Sequence, residues 1–215
     1  MNWEYICRNA DRFLFRHYFN NQNQSGRVYM LEATMNGVIN GVDVERMGAT
    51  VQAVQQNPSL ASHQFRAANR WIDGGHNRST IQSFYGAGQE DSIRTKPFML
   101  DADEPPALLG KDQGANPVEY VLHALAACLT TSLVYHAAAR GIKVESVESK
   151  LEGDLDLRGF LGISGQVRRG YQSVRVNVTI KSDASAEQLE ELTKFSPVYD
   201  ILSNPVPVSI QIESR

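Results

Sequence analysis

One stretch of the 215-residue chain, from Asn116 to Gly141, constrains the fold more than any other. It opens with signals for a helix start, because Asn116 is a favoured N-cap and the proline that follows suits the first helical position. Glu119, three residues after the cap, completes a capping-box pattern. At the other end, Arg140 offsets the negative end of the helix dipole, and Gly141 suits the left-handed residue that ends a helix. The stretch predicts one helix of about 24 residues, on the order of 36 Å long.

The apolar residues of this helix are not confined to one stripe. They cover most of its circumference, and a run of alanines lets other backbone approach closely. A helix that is apolar all round is buried. Polar residues interrupt it too often for a membrane span, and these are Glu119, His123, Thr130, Thr131, Ser132 and His136. We therefore expect a long buried central helix and no membrane partner.

Charge and cysteine content exclude several classes of protein. A net charge of −3 gives no basic footprint, so we expect no nucleic-acid partner. The two cysteines, Cys7 and Cys128, lie too far apart in the sequence for a disulfide framework, which is typical of a reducing compartment. The first residues contain no apolar run and no small-residue cleavage site. We expect a cytoplasmic protein.

Residues 1–35 differ in character from the rest. The polar run Asn20 to Gly26 is typical of a linker. The aromatic and basic residues before it could form a short helix that docks on a partner, but we predict a poorly ordered extension. Residues 36–215 are predicted to form a single domain.

The segments around the central helix predict an α+β fold of curved antiparallel sheets that wrap the helix. Asp43 caps a helix that Asn57-Pro58 stops, Ser185 caps another with Gln188 at its third position, and a short helix follows Ser196-Pro197. Alternating segments predict strands within residues 63–73, 80–85, 94–101, 142–157, 174–181 and 206–212. A sheet covers only one side of a helix, so the second cover is expected to come from a symmetric dimer.

Several motifs resemble the OsmC/Ohr family in the same order. They are NGVDVERM, NRWIDGGHNRSTI, LDADEPPALLG, NPVEYVLHALAACL, RGIKVESVES, EGDLDLRGFLG, GYQSVRVNVTI and SPVYDILSNPVPVSI, and the resemblance covers about residues 36–213. The resemblance implies an intertwined homodimer with two central helices at its centre. It also implies thiol-dependent reduction of organic hydroperoxides, in defence against oxidative stress, with the helix cysteine as the attacking thiol.

Cys128 occupies the peroxidatic position that the resemblance implies. Such a cysteine attacks the distal peroxide oxygen as a thiolate and becomes a sulfenic acid while an alcohol leaves. The alternative is that Cys128 is only a small core residue. A cysteine in the middle of a helix gains little from the helix dipole, so a basic group from another segment is needed to activate it.

The supporting residues depart from the family pattern. Related proteins place an arginine just after the first strand's Gly-Gly and a glutamate ten residues before the cysteine. Here His76 stands at the arginine position, with Arg78 two residues later, and Val118 stands at the glutamate position. Glu119 is nine residues before the cysteine, on the opposite helix face, and is assigned to capping. His76 or Arg78 is the candidate activator, and Arg70 is a lesser one.

The family's resolving cysteine is replaced by Ser196, which cannot form a disulfide. A sulfenic acid on Cys128 would then be resolved by an external thiol, or by Cys7 if the N-terminal residues reach it. No HExxH, CxxC or carboxylate–histidine spacing is present, nor a glycine-rich phosphate loop, so we expect no metal and no cofactor.

Two functions remain open from the sequence. The first is a thiol peroxidase that acts on hydrophobic organic hydroperoxides with an external thiol reductant. The alternative is a non-catalytic OsmC-like dimer that binds a hydrophobic ligand or senses redox state, which the missing second cysteine and Val118 favour.

Overall fold

The computed structural model describes residues 37–214, which divide into two compact units between Ala115 and Asn116. The expectations for residues 1–35 and for Cys7 lie outside the described residues. The prediction of a single domain over residues 36–215 stays a prediction.

The first unit consists of one helix and short antiparallel strands. Their bounds are β1 Val38–Ile39, β2 Val42–Asp43, α1 Val44–Gln56, β3 Gln64–Phe65, β4 Ala68–Asp73, β5 His76–Ile81, β6 Phe84–Gly86, β7 Gln89–Glu90 and β8 Phe98–Ala102. The strands form a β1-β2 hairpin and two three-stranded sheets, in the orders β3-β6-β7 and β4-β5-β8. A 3₁₀ turn, Pro58–Ala61, follows α1, and another, Pro106–Leu108, follows β8.

Local chemistry sets the elements of this unit, as the sequence predicts. The Asp43 side chain accepts a hydrogen bond from the Arg46 amide at 2.9 Å and starts α1. The helix ends at Gln56, and Asn57 is its C-cap before the proline. Gly74, with φ of +54°, makes the turn between β4 and β5. β8 begins directly after Pro97 and lies at the edge of its sheet, where a proline causes least harm.

The first two predicted strands are each divided in the structure. Residues 63–73 form β3 and β4 with a break at Arg66-Ala67, and residues 80–85 cover the end of β5 and part of β6. The halves pair with different sheets, β3 with β6 and β4 with β5. The alternation in the sequence is the same on both sides of each break, so periodicity could not reveal the change of sheet.

The second unit is built around the long helix. Its elements are α2 Pro117–Ala138, β9 Val144–Asp154, α3 Leu157–Phe160, β10 Ser173–Ser182, α4 Ala186–Thr193 and α5 Pro197–Ser203. β9 and β10 form an antiparallel ladder from Ser173 opposite Asp154 to Lys181 opposite Ser146. Leu133 and Ala137 of α2 form the centre of the core with Leu189 and Leu192 of α4. Val147 and Ile180 pack against this cluster from the ladder. An α+β fold with antiparallel sheets and a central helix is thus confirmed.

Both ends of α2 have the geometry that the sequence predicts. The Asn116 side chain accepts from the Val118 amide at 2.9 Å, and Glu119 accepts from the Asn116 amide at 2.8 Å, which completes the capping box. At the C-terminal end Arg140 donates to the His136 carbonyl at 2.9 Å. Gly141 adopts φ of +70°, a left-handed conformation that ends the helix.

The described residues of the second unit cover only one side of α2. The buried positions on the helix are Leu125, Leu129, Ser132, Leu133, Ala137 and Ala138. An exposed stripe repeats every fourth residue, at Glu119, His123, Ala127, Thr131 and Tyr135. Within residues 37–214, α2 is the one helix long and apolar enough to cross a membrane, but core helices of water-soluble proteins pass the same test.

The predicted strand at residues 206–212 is wrong, because the structure contains no strand in this segment. Val206, Val208, Ile210 and Ile212 alternate as a strand would, but they are 53%, 79%, 79% and 88% exposed. A strand needs a neighbour to accept its backbone hydrogen bonds, and no sheet among residues 37–214 pairs with this segment.

The capping box leads to a stability prediction. Asn116→Ala removes the acceptor for the Val118 amide, so the free energy of unfolding should fall by about 1 kcal/mol, as measured by urea unfolding. Glu119→Gln is the matched variant, because a glutamine oxygen can still accept from the Asn116 amide. The capping role would be contradicted if Asn116→Ala left the unfolding midpoint unchanged.

Candidate functional site

Cys128 lies near the middle of α2 and is a free thiol with intermediate exposure. Leu125 and Leu129 on one side of it are buried, whereas Ala127 and Thr131 belong to the exposed stripe. The thiol therefore sits at the border between the buried side of the helix and its uncovered side, where a solvent-borne reagent can approach it.

A small apolar crevice lies between α2 and the β9–β10 ladder. It is lined by Leu129, Thr130, Leu133, Val147, Ser149, Val178 and Thr193. Leu129 directly follows Cys128 in the helix. Cys128 itself is not among the residues that line this crevice.

Val118, at the position of the family's glutamate, has a structural role here. Its carbonyl accepts a hydrogen bond from the Tyr171 hydroxyl at 2.8 Å, and its amide donates to the Asn116 side chain at 2.9 Å. The Tyr171 ring lies against Gly153, where a Cβ would come within 2.4 Å of a ring carbon. Burial raises the pKa of Tyr171, and the charge of Glu119 adds to this. Tyr171 escaped the sequence analysis because only the fold brings the β9–β10 connection to the start of α2.

Ser196 is fully buried, with 0% of its surface exposed. Its side chain accepts from the Tyr199 amide at 3.2 Å and so caps α5. The preceding residue, Phe195, stacks on His136 with ring centroids 4.0 Å apart. The Arg140 guanidinium lies over the Phe195 ring, 5.5 Å from its centroid. The residue at the resolving position is therefore a helix cap in a packed corner.

His76 and Arg78 both lie on β5 and share one carboxylate, Asp101 on β8. His76 Nε2 is 2.9 Å from Asp101 Oδ1, and Arg78 binds the same carboxylate through Nε at 2.8 Å and Nη2 at 3.0 Å. The register explains the pairing, since Arg78 is directly opposite Asp101 in the β5–β8 ladder. Hydrogen bonds from Arg78 and then from His76 hold the pKa of Asp101 below its ordinary value. A carboxylate only accepts hydrogen bonds, so His76 Nε2 carries the proton in this contact.

Sequence reasoning missed Asp101 as a site residue. In the sequence, Asp101 is a lone carboxylate in the predicted third strand. The residue that pairs with Asp101 depends on strand register, which the sequence leaves open. Asp103, two residues on, is 1% exposed and accepts the amides of Glu104, Lys111 and Gln113 at 2.8, 3.1 and 3.2 Å. Burial alone would raise the pKa of Asp103, but these hydrogen bonds outweigh it and lower the pKa.

The structure thus brings together two of the predicted site residues, His76 and Arg78, in the first unit. Cys128 and Ser196 belong to the second unit, and activation of the thiol by His76 or Arg78 stays a prediction. Among residues 37–214 no group of three or more His, Cys, Asp or Glu side chains could hold a metal ion.

The shared carboxylate leads to a pH prediction. Because the pKa of Asp101 is lowered from its ordinary value of 3.8, its pairing stabilises the fold above that pH and is lost as the pH falls further. Asp101→Asn should lower stability at neutral pH and make the acid loss of stability shallower, as followed by thermal unfolding across the acid range.

Asp112→Asn is the matched control, because the Asp112 side chain contacts no cation among the described residues and asparagine tolerates its left-handed φ of +57°. Identical acid profiles for the two variants would contradict the assignment of this stabilisation to Asp101.

Comparisons with known proteins agree with the motifs. Residues 110–211 match the sequence profile of the OsmC-like protein family. An OsmC-like protein from Mycoplasma pneumoniae is 16% identical, with a TM-score of 0.50 over 66% of this chain and 89% of that one. An organic hydroperoxide resistance protein OsmC from Legionella pneumophila is 16% identical, with a TM-score of 0.45 over 65% of this chain and 90% of that one.

No functionally curated protein is similar enough in sequence to match. The profile match includes α2 with Cys128, both strands of the β9–β10 ladder and Ser196. The Mycoplasma protein supports the fold. The chain is therefore OsmC-like over residues 110–211, which confirms the resemblance that its motifs indicate.

Proposed function

We propose that this protein reduces organic hydroperoxides with Cys128 as the attacking thiol. The match to the OsmC-like family supports a redox or stress-related role. The observation that carries the finer proposal is the free, part-exposed Cys128 on the family's central helix.

The proposed reaction proceeds in two stages. The Cys128 thiolate attacks the distal oxygen of the hydroperoxide, so that an S–O bond forms, the O–O bond breaks, and the alkoxide takes a proton and leaves as an alcohol. One external thiol then displaces water from the sulfenic acid to give a mixed disulfide. A second external thiol releases Cys128 and leaves as the disulfide of the reductant. No cofactor is required.

The reductant is proposed to be external because Ser196 cannot form a disulfide. This serine is buried and caps α5, so it has a structural role at the position where relatives have a resolving cysteine. Cys7 lies outside the described residues, and the proposal does not depend on it.

His76 and Arg78 are proposed as the groups that favour the thiolate, with Arg70 as a lesser candidate. In the first unit, Asp101 fixes His76 and Arg78 relative to one another. His76→Ala or Arg78→Ala should slow peroxide turnover by the folded protein. The same substitution should slow the reaction of Cys128 with peroxide in the unfolded protein less. If neither variant slows turnover, activation must come from other groups.

Removal of the thiol tests the reaction directly. Cys128→Ser should abolish consumption of alkyl and lipid hydroperoxides in the presence of a dithiol, because serine is not a competent nucleophile toward the peroxide. The control is unchanged thermal unfolding of this variant. The proposal fails if the wild-type protein consumes none of a panel of such hydroperoxides.

The alternative function is a non-catalytic dimer that binds a hydrophobic ligand or senses redox state. Ser196 and Val118, which have structural contacts where relatives carry reactive groups, favour it. The rate of Cys128 alkylation distinguishes the two functions. Fast alkylation below neutral pH supports catalysis, whereas alkylation that rises only in alkali, as for an ordinary thiol, supports the alternative.

We also propose a homodimer in the cytoplasm. The exposed stripe of α2 and the unpaired apolar segment at residues 206–212 are the surfaces that a second copy would cover. This proposal needs neither nucleic acid nor a membrane as a partner.

A charge placed on the stripe tests the dimer. Thr131→Arg should convert the dimer to monomer in analytical ultracentrifugation, because it would bury an unpaired charge at the interface. Glu190→Arg, at an exposed position of α4, is the control and should leave the mass unchanged. A wild-type protein that sediments as a monomer at micromolar concentration would rule the dimer out.

A further inference from the structure

Two arginines lie directly opposite each other on neighbouring strands of the β4-β5-β8 sheet in the first unit. Arg70 on β4 is the direct partner of Arg78 on β5 in the antiparallel ladder. Directly opposed residues lie on the same face, with Cβ atoms about 4.5–5.5 Å apart, and like charges in this arrangement destabilise a sheet. The arginine pair therefore places two positive charges close together on one face of the sheet.

The nearby carboxylates are already engaged. Asp101 accepts hydrogen bonds from both Arg78 and His76. Asp73 pairs with Lys111 at 2.6 Å, and Asp103 is occupied by backbone amides. The guanidinium of Arg70 donates no hydrogen bond to any of the described residues of its unit, and Arg70 is exposed. Among the described residues, one positive charge of the arginine pair, that of Arg70, has no ion-pair partner.

The donors that remain suit a planar oxyanion. Arg78 uses Nε and Nη2 for Asp101, and its side chain is 40% exposed. Its Nη1 group and the whole fork of Arg70 remain for a ligand. Two arginines at directly opposed positions can both donate to one carboxylate, which accepts one or two hydrogen bonds from each.

An apolar row runs beside this charged row on the same face. Ala68, Thr80 and Met99 are aligned across β4, β5 and β8, just as Arg70, Arg78 and Asp101 are. The two rows are two residues apart along each strand, which is about 7 Å. Met99 is 51% exposed, and the Thr80 hydroxyl is turned to its sulfur at 3.5 Å. Hydrocarbon surface thus lies within reach of anything held by the arginines.

We propose that this face of the first unit binds a small carboxylic acid with an apolar body. The carboxylate bridges Arg70 and the free edge of Arg78, and the body lies over Ala68 and Met99. Asp101 selects for a single negative charge, because it repels a second one. Arg70 and Arg78 are also the candidate activators of Cys128, so this site is tested by ligand binding and not by peroxide turnover.

Octanoate is the probe that tests this site, titrated into full-length Cys128→Ser protein so that thiol reactions do not contribute. Isothermal titration calorimetry should show saturable binding, and Arg70→Gln should weaken it by roughly tenfold or more, the value of a charge-assisted hydrogen bond. Arg66→Gln is the matched control, because Arg66 is an arginine of the same unit that is already paired with Glu90. It should leave octanoate affinity within about twofold.

Two further ligands test the apolar contact and the charge selectivity separately. Acetate should bind more weakly than octanoate because it cannot cover Met99, and Met99→Ser should remove that difference. Inorganic phosphate should bind more weakly than octanoate because its second charge faces Asp101.

The proposal is overturned if octanoate does not saturate in the millimolar range, or if Arg70→Gln and Arg66→Gln weaken it equally. It is also overturned if octanol binds as well as octanoate, or if phosphate binds as tightly. Thermal unfolding checks the fold, and Arg70→Gln should not lower the midpoint, because it relieves the repulsion between the two arginines.

Discussion

The burial of α2 is the constraint on which the second unit depends. Leu133 and Ala137 pack against α4 and the β9–β10 ladder, and these contacts form the core of the unit. The ladder and α4 cover one side of the helix and leave the stripe from Glu119 to Tyr135 exposed. The proposed dimer would cover this stripe.

The position of Cys128 follows from this half-covered state. A fully buried thiol would be inert. Cys128 lies at the border between the covered and the uncovered side of the helix. Because Ser196 is a buried helix cap, an external reductant is the simplest completion of the proposed chemistry.

The first unit is organised by charge more than by a core. Asp101 accepts from His76 and Arg78, and Asp103 holds the following loop through three backbone amides. Arg70 is the member of this arrangement that has no counter-charge among residues 37–214. The proposed carboxylate site depends on this position.

Signals that act within a few residues were sufficient to predict the helix ends. The caps at Asp43, Asn116 and Ser185 occur as predicted, because a cap depends on side chains that contact amides two or three residues away. The α+β class also followed from the sequence, since a helix that is apolar all round between alternating segments has few ways to be buried.

Tertiary structure decided what depends on distant residues. The pairing of Arg78 with Asp101 depends on strand register. The contact of Tyr171 with Val118 depends on the path of the connection between β9 and β10. The segment at 206–212 carries a strand pattern but has no partner strand among the described residues. The sequence thus determined the caps, the central helix and the position of its thiol, because these are local properties. Only the fold decided which charges meet and which strands pair, because both require segments far apart in the chain to come together.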